Sequence, residues 1–165
     1  RGATGSGNKM NYRAYSHSQS NIPKTQEDIR RTLIKYGADG VQFEELFSDR
    51  KVTVRFLFKI GEIPYVVKII GKVPEVKRET PTGRWIRSDE QYEKMKRQAS
   101  IQIWRALFTA IKSRMESISF GIETFQEAFL AHIEVPGTDK TIGDILTPRL
   151  LSGKLQLTDR AGKTG

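Results

Sequence analysis

A carboxylate two residues from a lysine is a spacing that metal-dependent nucleases use to hold Mg²⁺ and steady a phosphate, and Glu75-Val76-Lys77 supplies it. Asp49 or Glu62 would be the earlier acid. Such acids must converge on one strand end to bind the ion, yet Glu75 follows Pro74, outside any expected strand. In a chain that is 28% charged, a three-residue spacing arises by chance. Its ordinary reading is solvated loop charge, so no catalytic residue is assigned. No other reactive constellation stands out. No phosphate-binding G-x-x-x-x-G-K-[ST] string occurs, and Gly5-Ser6-Gly7-Asn8-Lys9 is too short and follows no strand. No G-x-S-x-G nucleophile elbow is present. Cysteine is absent, which removes disulfides, thiolate metal sites and thiol nucleophiles. His17 and His132 lie in no metal-ligand spacing. The expectation is a protein without catalysis, metal or cofactor.

The residues that can act are cationic. Lysine and arginine number 28 against 19 acids, a net charge of +9, which attracts polyanions. Three groups could cooperate. On the outward face of the expected sheet, Arg55, Lys59 and Lys68 project among Leu57, Val66 and Ile70. Phosphates can lie against such cations while apolar groups meet bases. The alternative is long side chains snorkelling along a half-covered sheet. In the loop after the strands, Lys77, Arg78, Arg84 and Arg87 surround Trp85. An indole among guanidiniums is a stacking platform for an unpaired base, although a tryptophan near a helix start more commonly packs beneath that helix. On the long helix, Lys94, Arg97, Arg105 and Lys112 form a stripe that is also the expected solvated face.

Positioning these groups requires a scaffold, and the apolar spacing describes one. Thr25 reads as the N-cap of a helix over about 26–36, with Gly37 as its stop. A strand over about 41–47 follows. Next comes the clearest strand, in which Val52, Val54, Phe56, Phe58 and Ile60 alternate with Thr53, Arg55, Leu57 and Lys59. A third strand covers about 65–73, and the short turns imply an antiparallel meander. Residues 74–88 read as a loop or loose hairpin. Ser88 or Asp89 caps a helix continuing to about Ser119. A short helix begins at Thr124, Pro136-Gly137 marks a turn, and a last helical segment spans about 141–151. The expected class is α+β: a three-stranded antiparallel meander packed on a long helix, in the order α-β-β-β-α-α. The first helix alone remains to cover the sheet's other face. The expected organisation is a flexible arm over 1–24 (1–9 a cloning remnant), one domain over 25–151 and a flexible tail over 152–165. No apolar run reaches the roughly 20 residues of a membrane span, and no secretory signal opens the chain. The absence of cysteine fits a cytoplasmic protein.

Three segments carry a family resemblance: KTQEDIRRTLIKYGAD at 24–39, TPTGRW at 80–85, and WRALFTAIKSRMESISFGIETFQEAFLAHIEVPG at 104–137. With TIGDIL at 141–146, the chain resembles a family of small proteins of bacteriophages, prophages and bacterial mobile elements. It departs from that family in a more lysine-rich strand region. The resemblance implies a phage or mobile-element setting, hence a bacterial host cytoplasm. It implies no activity and carries over no functional residue.

Two functions of different class follow. The first is a non-enzymatic nucleic-acid-binding accessory protein for replication, recombination or packaging, with single-stranded DNA the favoured partner. The second is an assembly module that forms homo-oligomers or binds another phage protein, for which an exposed third strand would serve. Convergence of Arg55, Lys59, Lys68, Arg84 and Arg87 on one surface would favour the first. A large apolar patch there would favour the second.

Overall fold

The computed structural model describes residues 22–154. Most of the expected N-terminal arm, with His17, and most of the C-terminal tail lie outside the described residues. Within them, helix α1 (Ile22–Lys35) precedes strands β1 (Gly40–Leu46), β2 (Lys51–Ile60) and β3 (Ile63–Lys72). Helices α2 (Asp89–Ser119), α3 (Phe125–Phe129) and α4 (Ile142–Leu151) follow, with a 3₁₀ turn at Leu130–His132 between α3 and α4. The architecture is α+β, with an antiparallel sheet in the order β1-β2-β3.

Thr25 is not a cap. The chain is already helical at Ile22, and Thr25 is buried inside α1. The local signal was Pro23, whose missing N–H costs nothing in a first helical turn. Gly37, at φ 90°, ends α1 with a paired closure: its N–H reaches the Ile34 carbonyl, and that of Ala38 reaches Leu33. Gly121 closes α2 in the same way. Ser88 caps α2 through Gln91, and reciprocal caps open α3 at Thr124 and α4 at Thr141.

The core lies on one face of the sheet. Val52, Val54 and Phe56 of β2 join Val67 and Ile69 of β3, directly opposite by register. Ile29 and Leu33 of α1 enter this same core, as do Trp104, Leu107 and Ile111 of α2. The expectation that α1 covers the opposite face is therefore wrong. The two helices pack on one another and share the sheet's inner face. Trp104 is fully buried, edge-on to Phe43, and donates its indole N–H to Glu45 at 3.0 Å. Phe56 and Phe58 meet Phe129 and Phe125 of α3.

The opposite face carries Arg55, Leu57, Lys59, Val66, Lys68 and Ile70 by the same register. None of α1, α2 and α3 lies over it. After the 3₁₀ turn the chain pairs with the edge of β3: Ile133 bridges to Val67, and the Glu134 N–H reaches the Val66 carbonyl. It turns back at Pro136-Gly137, so that Glu134 pairs with Thr141. The third strand's free edge is thus partly occupied.

Candidate nucleic-acid interface

The cross-strand neighbours Arg55 and Lys68 are placed together, but not for a ligand. Arg55 holds Glu134 at 2.8 Å. Lys68, only 8% exposed, donates to the carboxylate and carbonyl of Asp139 at 3.0 and 2.8 Å. The Lys68 hydrogen bond and charge hold the Asp139 carboxyl below its ordinary range, with Arg55 adding to the effect. Two like charges directly opposite would repel. Here they bracket two acids and fasten the 133–142 segment to the sheet. No local pattern announces this, because the partners lie 79 and 71 positions apart. Lys59 is exposed and has no ion pair among the described residues, but it sits at the far end of β2.

The segment expected as a loop or loose hairpin forms a hairpin. Glu79 bridges to Ile86, the Thr80 N–H reaches the Trp85 carbonyl, and that of Gly83 closes the tip on Thr80. Two arginines hold it. Arg87 donates to the carbonyls of Lys77 and Glu79. Arg78 pairs with Asp89 at the start of α2, and its guanidinium lies 4.6 Å from the Tyr92 ring. Arg78 and Arg87 are therefore built into the hairpin, whereas Lys77 and Arg84 are exposed without an ion pair among the described residues. Trp85 does not pack beneath α2: it is 73% exposed, and its neighbour Ile86 is 77% exposed. The indole of Trp104 already fills the core position.

On α2, Lys94 and Arg97 are exposed and unpaired among the described residues. Lys112 pairs with Glu116, and Arg105 is half-buried and engaged. Of the five cations whose convergence was in question, Arg55, Lys68 and Arg87 are tied internally. Lys59 and Arg84 lie at opposite ends of the sheet, since the hairpin follows the Lys72 end of β3. No single cationic surface unites them.

The structure adds residues that sequence reading missed. Lys51 and Lys72 are cross-strand partners at the hairpin end. Unlike the Arg55–Lys68 pair, they have between them, among the described residues, only Asp49, 3.6 Å from Lys51. Phe47 is 84% exposed beside them. A cleft of about 310 Å³ opens between the β1–β2 turn, the Val73–Val76 segment and the first turns of α2. A second, of about 410 Å³, shares Glu75 and Val76 with it and runs under the hairpin to Gly83. Glu75 faces both and lies 3.6 Å from Arg50. An available signal was Phe47 itself, an apolar residue next to a polar turn. No family model, curated protein or solved structure matches the chain.

Proposed function

We propose that this chain binds single-stranded nucleic acid at the hairpin end of its sheet and performs no chemistry on it. The exposure of Trp85 beside Arg84 carries this reading. Keeping a large indole in water is unfavourable unless a partner covers it, and a base offers the π-face that an indole next to a guanidinium accepts. Arg78 and Arg87 pre-organise the hairpin, so little ordering cost remains at binding. Phosphates lie against Arg84, Lys77 and the Lys51–Lys72 pair, whose mutual repulsion an anion relieves. The middle of the outward sheet face plays no part, because Arg55 and Lys68 there are occupied. A role in replication, recombination or packaging fits this activity and the resemblance to phage proteins.

The test is fluorescence anisotropy with labelled single- and double-stranded oligonucleotides. Trp85→Ala is expected to weaken single-strand binding by about tenfold or more, the usual effect of losing one stacked base. Trp85→Phe should restore part of it. Absence of binding of either strand form at low salt rejects the proposal. The second reading is then an assembly module. Phe120 and Ile122, 79% and 75% exposed after α2, favour it, and oligomer mass in solution tests it.

A further inference from the structure

We infer that the cleft beside the hairpin is a pocket for one unstacked nucleobase bearing an exocyclic amino group. This rests on the strand-binding reading and adds a base preference to it. At about 310 Å³ the cleft is at the small end of ligand sites, which begin near about 300 Å³. Its walls include Leu46, Phe47, Val73, Pro74 and Val76, with the Tyr92 ring. These are apolar surfaces suited to the faces of a flat heterocycle.

The polar groups set among them include two carboxylates, Glu45 and Glu75, alongside the cations Arg50, Lys51 and Lys96. Glu45 lines the cleft and is anchored by the Trp104 indole, which occupies one of its oxygens. An ionised carboxylate accepts up to about four hydrogen bonds, so acceptor capacity remains. Glu75 faces the same space with one oxygen 3.6 Å from Arg50 and the other left to accept, and Ser100 contributes a hydroxyl. Carboxylates select N–H donors, as in carboxylate recognition of the cytosine amino group. Adenine, cytosine and guanine carry an amino group; thymine and uracil do not. Lys51 and Lys96, which also pair with the exposed acids Asp49 and Glu93, lie at the same cleft to receive the backbone. Because the second cleft continues from Glu75 and Val76 to the hairpin tip, a strand stacked on Trp85 has a path for a neighbouring base into the pocket. Trp85 supplies sequence-tolerant grip, and the cleft discriminates.

The experiment compares labelled octamers of deoxycytidine, thymidine and N4,N4-dimethyldeoxycytidine, the last lacking the amino N–H donors. Wild type is expected to bind the cytidine octamer about fivefold or more tighter than the other two, the low end of one base-specific contact. Ser100→Trp, which fills the cleft, should bring all three to the thymidine value while leaving dependence on Trp85 intact. Phe47→Ala alters only an exposed lip, cannot compromise the core, and should shrink the preference in the same direction. Equal binding of the octamers by wild type, or a preference unchanged in both variants, overturns the pocket and leaves the Trp85 platform standing. No binding of any octamer by wild type overturns both.

Discussion

Trp85 and Trp104 show how one residue type takes two roles. The indole of Trp104 is buried, edge-on to Phe43 and bonded to Glu45; that of Trp85 faces solvent. Trp104→Ala should lower unfolding free energy by about 3–5 kcal/mol, while Trp85→Ala should change it by no more than about 0.5 kcal/mol. Urea titration of both variants checks the assignment. The sequence alone could not separate the two, since each follows or precedes an arginine. What decides is which indole the sheet can cover, a property of tertiary packing. The fate of Arg55 and Lys68 was equally hidden, because Glu134 and Asp139 meet them only after the chain returns. Their pairing has a pH signature. The folded Asp139 carboxyl titrates below its ordinary 3.8 because Lys68 donates to it. A depressed carboxyl contributes stability above its unfolded value and loses it as pH falls through the folded one. Asp139→Asn should therefore melt below wild type at neutral pH, and the two melting curves should converge as pH falls from about 4 towards 2. A constant gap across that range would remove Asp139 from the account.

Among elements, those with strong periodicity were legible. The alternation of β2, a cap at Ser88 or Asp89 and the long apolar stripe of α2 were legible, and each formed within a few residues of its expected bounds. The side of the sheet taken by α1 was not, because amphipathicity says that a face is buried and not against what. The hairpin was ambiguous for a related reason: its bonds are few and its fastening comes from Arg78 and Arg87 rather than an apolar face. Arg87→Ala should leave the melting temperature nearly unchanged, yet speed amide exchange at Thr80 and Gly83 and weaken oligonucleotide binding. Unaltered exchange there would mean that the guanidinium is not what holds the hairpin. At α4, a Cβ on Gly143 would lie 2.6 Å from the Ala131 carbonyl oxygen. Backbone must shift to admit it, so Gly143→Ala should cost about 1–3 kcal/mol in denaturant unfolding.

At the scale of the whole molecule, the net charge of +9 overstates the charge available to a ligand. Pairing occupies Arg55, Lys68, Arg78 and Lys112. If Lys51, Lys72, Lys77 and Arg84 make the phosphate contacts, log K should fall against log salt with a slope of about −3 for single strands. A slope twice as steep would return the sheet face or the α2 stripe to the interface. No helix among the described residues is long and apolar enough to cross a membrane.

The hairpin is tied to the start of α2 and to its own carbonyls, and none of its residues belongs to the core cluster. It is a small cooperative unit that can open while the rest stays closed. Changes in its length and sequence should consequently leave folding intact, so long as Arg78, Arg87 and Asp89 remain. The scaffold thereby becomes a constant frame on which the hairpin can be exchanged.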